Sequence, residues 1–198
     1  MFGGRPVVDS ARTEAEAIRQ NPANKAPPEI IRAQRVLPVS YYGFDGALHE
    51  GQMVVHEEAV SDVRAFFALA RELEFPIAKV IPISDARYAW DDDRSCADNN
   101  TSGFNYRLVT GSGSRPSNHA FGRAFDVNPL QNPYIRYDAE GNELFRIPVQ
   151  GRHDESAPGT LTRGHPLVML MNKRGWKWGG SWTPRGGPVD YQHFEKPA

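Results

Sequence analysis

The chain has 198 residues, enough for one domain, and its 23 basic and 24 acidic residues give a net charge of −1. This balance argues against a nucleic-acid-binding protein or a binder of anionic membranes, since both favour a basic excess. The single cysteine, Cys96, excludes an intrachain disulfide and every structural zinc site that needs two thiolates. No segment has the ~20 consecutive apolar residues of a membrane span.

The first 35 residues are predicted to form an arm that is partly helical, followed by a single domain over residues 36–198. A short helix is expected within residues 10–20, where Thr13 and Glu16 have capping-box spacing. Pro22 and the pair Pro27-Pro28 end it. The first twelve residues lack the basic start and apolar run that are typical of a secretory signal.

The domain begins with apolar runs between residues 35 and 55 that predict strands or extended arms. Apolar residues at three- and four-residue steps then predict a helix over residues 56–75, and a second helix is expected over 166–174. Further strands are predicted at residues 77–83, 104–109, 122–127, 176–178 and 189–194. This order lacks a strict βαβ rhythm, so the expected fold is α+β, with a small central antiparallel sheet and flanking helices.

The histidines carry the strongest chemical signal. His119 precedes Asp126 by seven residues, and small and apolar neighbours place Asp126 in a predicted buried strand. An unpaired buried carboxylate is costly, so Asp126 requires a cation or several hydrogen-bond donors. The spacing fits a metal site and a structural Asp–His hydrogen bond equally well. The other four histidines lie near turns or a helix start, as solvated or capping residues do: His49, His56, His153 and His165.

His193 could complete a metal site with His119 and Asp126. Two histidines and an aspartate supply the three protein ligands of a catalytic zinc and leave a fourth position for water. A carboxylate must then accept a proton from that water, and Asp190 and Glu195 are the candidates. In an extended segment Glu195 shares a face with His193, whereas a turn would bring Asp190 towards the metal. The residues alone leave this choice open.

The candidate residues lie in two motifs, Ser117-x-His119-x-x-Gly122-x-Ala124-x-Asp126 and Asp190-x-x-His193-Phe194. Together these motifs resemble the zinc D-alanyl-D-alanine carboxypeptidases of peptidase family M15, which also contains L-alanyl-D-glutamate endopeptidases. The resemblance covers about residues 75–196. It includes further segments at 100–107, 128–134 and 178–182.

The resemblance implies a zinc site on the sheet, with His119, Asp126 and His193 as ligands. It also implies that the chain bends at Asp190 and that this residue is the catalytic carboxylate. Many members have a longer glutamate there. Glu195 would then have a supporting or surface role.

Substrate binding requires a cation for a peptide carboxylate or for the developing oxyanion. Arg107 occupies the position of the family's substrate arginine, and Arg87 is the rival. Ser117 could hydrogen-bond the substrate, or it could serve only the turn beside Pro116. Trp182 is the best candidate for an aromatic cleft residue, with Trp176 and Trp178 expected in the core more often than in a cleft. The run 91–93 is read as a solvated acidic turn.

The expected function is zinc-dependent hydrolysis of peptidoglycan stem peptides, with D-alanyl-D-alanine carboxypeptidase activity favoured. The alternatives are an L-alanyl-D-glutamate endopeptidase and a noncatalytic zinc-containing module that binds the cell wall. The expected partners are stem peptides, with no nucleic acid and no membrane span. A cell-envelope or secreted location is expected from this function. The oligomeric state is left open.

Overall fold

The computed structural model describes residues 5–183 and 185–196, which form an α+β fold of short helices and small sheets. The helices are α1 (Glu14–Ala17), α2 (Pro28–Arg32), α3 (Val60–Glu72), α4 (Asp92–Ala97) and α5 (Pro166–Lys173). The first strands are β1 (Val7–Val8), β2 (Gln34–Tyr42), β3 (Leu48–His56), β4 (Lys79–Val80), β5 (Asn100–Thr101) and β6 (Ala124–Asp126). The remaining strands are β7 (Tyr134–Tyr137), β8 (Glu143–Ile147), β9 (Lys177–Trp178), β10 (Pro188–Asp190) and β11 (His193–Glu195).

These strands form four small sheets in the described residues, and the small central antiparallel sheet that was expected is not clearly distinguished among them. Their orders are β1-β3-β2, β10-β7-β8, β6-β11-β9 and the pair β4-β5. The pairings β1-β3 and β4-β5 are parallel, and the others are antiparallel. The expectation of mixed α+β structure is confirmed, and the candidate metal ligands lie on and beside the three-stranded sheet β6-β11-β9.

The N-terminal segment packs against the hairpin formed by β2 and β3. Strand β1 extends that sheet, with Val7 in register with His49. Helix α1 begins with the predicted capping box of Thr13 and Glu16 but spans only four residues. Buried residues of this segment form a small cluster with residues of the domain: Ala17, Ile18, Ala26, Val54 and Phe104. The boundary between arm and domain stays a prediction.

Helix α3 supports the strands that carry the candidate metal ligands. The helix is shorter than predicted because a 3₁₀ turn, Glu57–Ala59, precedes it. Its Phe66 is fully buried, and the ring makes edge contacts with Phe125 of β6 at 5.2 Å and Phe194 of β11 at 5.7 Å between centroids. The two strand residues stack on each other at 5.2 Å. These aromatic contacts hold β6 and β11 against helix α3.

Several predicted strands are shorter than expected in the described chain, and one is absent. The segment 122–127 forms only β6, and a two-residue turn divides the segment 189–194 between β10 and β11. The segment 77–83 forms only the two residues of β4, because Pro82 has no N–H to donate to a ladder. The segment 104–109 forms no strand. Its amides bond to separate partners instead, with Phe104 donating to the carbonyl of Val54 and Asn105 to that of His119.

The histidines outside the candidate site behave as predicted in two cases. His56 and His165 each accept a hydrogen bond from a backbone N–H at the start of a helical segment. His49 is instead buried between Asp9 and Asp45, so its expected solvated or capping role is wrong. None of the helices within the described ranges has the length and apolar character needed to cross a bilayer.

Candidate metal centre

Three buried side chains from distant segments meet at one point. His193 on β11 lies directly opposite Asp126 on β6, and its Nδ1 is 3.0 Å from Asp126 Oδ1. His119 lies on the 3₁₀ turn Asn118–Phe121, and its Nε2 is 3.2 Å from Asp126 Oδ2. The turn ends at Gly122 in the left-handed conformation at φ = 67°, which suits glycine and redirects the chain into β6.

The outer hydrogen bonds of the two imidazoles leave the inner nitrogens available. Nδ1 of His119 lies 2.7 Å from the carbonyl oxygen of Gly103, which can only accept, so Nδ1 carries the proton. Nε2 of His193 lies 3.3 Å from the carboxylate of Glu195 and donates to it. When both imidazoles are neutral, the inner atoms, Nε2 of His119 and Nδ1 of His193, are therefore the ones with a lone pair available to a metal. Such outer partners orient metal-binding histidines.

The donor set fits a zinc ion. One ligand atom from each residue lies within 4.8 Å of the others, and all three residues are buried. Burial raises the pKa of Asp126, but the charges and hydrogen bonds of His119 and His193 hold it well below its usual range. Burial lowers the pKa of His193, but hydrogen bonds with Asp126 and Glu195 raise it to about 10. The buried carboxylate thus needs positive charge beside it, which protonated His193 supplies without a metal and which a bound divalent cation could supply instead.

Cys96 takes no part in this donor set. The thiol is buried and its pKa is raised well above the ordinary value by burial. The donors are therefore imidazole and carboxylate, as the single cysteine required.

Asp190 is a buried carboxylate that lines the same cleft as His119 and His193. It ends β10, and a turn of two residues separates it from His193 at the start of β11. Burial raises the pKa of Asp190 to about 7, and in the described chain its Oδ1 has no hydrogen-bond partner. The backbone of Gly179 packs beneath it, where an added Cβ would lie 2.5 Å from the Asp190 carbonyl oxygen. A carboxylate with a pKa near neutrality can both accept and return a proton.

The carboxylate of Glu195 is hydrogen-bonded to His193. Its Oε2 accepts a hydrogen bond of 2.6 Å from Asn118 Nδ2 as well as the one from His193. The hydrogen bond with His193 is the main reason why the pKa of Glu195 is lowered to about 2. Glu195 is therefore ionised at neutral pH and orients the imidazole of His193.

An open cleft of about 840 Å³ runs past these residues. His119, His193 and Asp190 line it, together with Arg107 and Trp182. The Trp182 ring lies 5.7 Å from the His193 ring between centroids. Trp176 and Trp178 are buried in the core. The cleft makes the candidate metal centre accessible from the surface.

Arg107 lines the cleft and forms an ion pair with Asp92. Its Nη2 lies 2.9 Å from Asp92 Oδ2, and burial lowers the pKa of Arg107 while Asp92 raises it, with a net increase. The acidic run is thus no simple solvated turn: Asp91 accepts a hydrogen bond from the Arg94 amide at the start of α4, and Asp92 holds Arg107.

The other two predicted substrate residues differ in position. Arg87 lies outside the cleft lining, with its Nε 3.8 Å from Asp85 and over half of its side chain exposed. Ser117 lines the cleft and also accepts a hydrogen bond of 3.3 Å from the His119 amide. That bond is the turn chemistry that the sequence left as an alternative.

Several cleft residues are missed by sequence reasoning. Asp92, Tyr134, Arg136 and Gln192 all line the cleft. Gln192 could have been noticed because it lies next to His193. Tyr134 and Arg136 are brought to the cleft by the pairing of β7 with β10, and no local pattern reveals that pairing.

Residues 110–196 match the model of a protein family described as D-alanyl-D-alanine carboxypeptidase, within peptidase family M15. The matched segment is somewhat less than half of the chain, and it contains His119, Asp126, Asp190 and His193. Comparison with curated proteins and with solved structures gives no significant match. The resemblance to family M15 is confirmed by the family match.

Proposed function

From the match of residues 110–196 to a model within peptidase family M15, we propose that this chain is a zinc-dependent D-alanyl-D-alanine carboxypeptidase that acts on peptidoglycan stem peptides. The observation that carries the proposal is Asp190, a buried carboxylate with a free oxygen beside a buried His/Asp/His group. A noncatalytic binding module has no need for such a base. A location at the cell envelope or outside the cell is expected from this substrate.

His119, Asp126 and His193 would hold the zinc ion through Nε2, a carboxylate oxygen and Nδ1. When bound there, zinc lowers the pKa of a water and polarises the carbonyl of the scissile bond. Asp190 Oδ1 accepts the proton that the attacking water loses. The same oxygen then returns the proton to the nitrogen of the leaving amine.

Arg107 would bind the terminal carboxylate of the peptide or the oxyanion that develops during attack. A guanidinium can contact both oxygens of a carboxylate at once, and Asp92 holds this one in a fixed orientation. Ser117 and Trp182 would contact the peptide from the cleft wall. Arg87 remains the rival, although its place outside the cleft lining favours Arg107.

The test is to incubate zinc-loaded protein with defined pentapeptide stems and to identify the products by mass spectrometry. Loss of one terminal alanine supports the carboxypeptidase. Release of L-alanine from the rest of the peptide would assign the endopeptidase activity instead. With no product from either bond, the noncatalytic wall-binding module would replace the proposal. An Asp190→Asn sample serves as the control for contaminating peptidases.

A further inference from the structure

One face of the β10-β7-β8 sheet forms a wall of the cleft. Residues directly opposite on neighbouring strands point to the same face, and alternate residues of one strand share it. Two rows of side chains therefore lie on the face that Asp190 occupies. The inner row is Asp190, Tyr134 and Ile147, and the outer row is Pro188, Arg136 and Phe145.

All these residues except Phe145 line the cleft. Phe145 extends the same surface, since its ring stacks on that of Tyr134 with 6.0 Å between centroids and the residue is 45% exposed. The rows are separated by two residues of strand, about 7 Å. That is the spacing of alternate side chains in an extended peptide, so a peptide cleaved beside Asp190 reaches the outer row.

Arg136 is the cation of the outer row. Arg107 is already paired with Asp92, whereas Arg136 forms no ion pair with any carboxylate in the described part of the chain. Burial and the charge of Asp190 raise the pKa of Tyr134, and Arg136 opposes this increase. Tyr134 is thus close enough to both Asp190 and Arg136 for each to affect its pKa. The cleft therefore offers a guanidinium with its charge available, one row away from the candidate base.

We propose that Arg136 is a specificity-determining residue that binds a carboxylate of an acidic peptide lying along this sheet face. The inference rests on the proposed function and adds a second anion-binding position to it. A stem peptide carries two carboxylates of this kind, one at its C-terminus and one on its D-glutamate. Tyr134 and Phe145 would pack against the aliphatic part of the same residue.

The test measures binding in an Asp190→Asn background, which prevents turnover during the titration. Zinc-loaded protein is titrated calorimetrically with a pentapeptide stem that contains D-glutamate, with the same peptide carrying D-isoglutamine, and with the C-terminal amide. Arg136→Gln is compared with Arg115→Gln, which removes the same charge from an exposed residue lining the same cleft. Circular dichroism and zinc content establish that each variant is folded.

We expect Arg136→Gln to weaken binding of the acidic peptide by about ten-fold or more, and Arg115→Gln to change it much less. The loss should disappear with one of the two amidated peptides, and that peptide identifies the carboxylate concerned. Arg136→Lys should recover part of the affinity because it restores the charge.

Equal losses for Arg136→Gln and Arg115→Gln, or a loss that persists with both amides, would overturn the role of Arg136. If the parent enzyme still cleaves the stem in that case, the proposed function stands without this inference. If the parent neither cleaves nor binds any stem peptide, both proposals fail.

Discussion

Nε2 of His119 and Nδ1 of His193 lie 3.1 Å apart, although 74 positions separate the two residues in the chain. Both atoms would be lone-pair acceptors in the tautomers that Gly103 and Glu195 impose. Two acceptors at this distance repel each other unless a proton on one of them or a bound metal ion supplies positive charge. Asp126, within reach of both, makes the same demand for a cation.

Removal of one imidazole should therefore abolish zinc binding. We expect His119→Ala to lose its zinc, because two remaining donors cannot complete the site. Elemental analysis after dialysis measures this. His56→Ala, which removes only a capping interaction, should keep its zinc. Full zinc occupancy in His119→Ala would refute the ligand assignment.

Asp190→Asn should separate metal binding from catalysis. The amide preserves the shape of the side chain but cannot accept the proton, so kcat should fall by about 10²- to 10⁴-fold. Zinc content should stay unchanged, since Asp190 is not one of the three ligands. Single-turnover assays on stem peptides measure the loss, and unaltered turnover would exclude Asp190 as the base.

Glu195→Ala should weaken the site without removing a ligand. Loss of the carboxylate that holds His193 should reduce zinc affinity by about 10- to 100-fold. Competition with a chromophoric chelator gives the dissociation constant. Glu140→Ala, at an exposed turn, is the matched control. The two variants having the same affinity would show that Glu195 does not support His193.

Arg107 and Arg87 can be distinguished by their effects on KM. Arg107→Gln should raise the KM for a stem peptide by about ten-fold or more, and Arg107→Lys by less. Arg87→Gln should leave KM unchanged because Arg87 lies outside the cleft lining. Steady-state assays decide between them. An increase confined to Arg87→Gln would reverse the assignment.

The stability of the fold should decrease in acid through Asp62. Burial raises the pKa of this carboxyl, but hydrogen bonds from Lys196, Trp176 and Arg174 lower it below the ordinary value of 3.8. The stabilisation is thus present above pH ~4 and is lost as the pH falls through the lowered pKa.

Asp62→Asn should reduce the free energy of unfolding by about 1–3 kcal/mol at pH 7 and by clearly less at pH 3. Urea denaturation at both pH values measures the difference. An equal loss at both would show that the charge of Asp62 contributes nothing.

The three residues that could hold a metal were predicted to lie together because short motifs contain them. His119 and Asp126 are joined by a turn and a strand, and His193 and Asp190 by a two-residue turn. The bend that separates Asp190 from Glu195 could not be derived from the spacing. It depends on β10 and β11 joining two different sheets, which is a property of the whole fold.

The residues of the cleft wall could not be predicted from the sequence for the same reason. Tyr134 and Arg136 reach Asp190 through sheet pairing, and Asp92 reaches Arg107 across a loop. Single residues of this kind have no periodic or motif signal. The helix over residues 56–75 was predicted in outline because its apolar stripe is long, whereas strands of two or three residues carry too little pattern to be located.

The close packing of Gly179 against Asp190 is useful for recognising active relatives of this chain. Gly179 contains no reactive group, yet a side chain there would meet both the carbonyl oxygen and the Cβ of Asp190. A related protein that keeps the equivalents of His119, Asp126, His193 and Asp190 but has a larger residue in place of Gly179 would still bind zinc. Its catalytic carboxylate would be displaced. Screening for working hydrolases should therefore include this glycine beside the ligands, because an intact metal motif alone does not guarantee turnover.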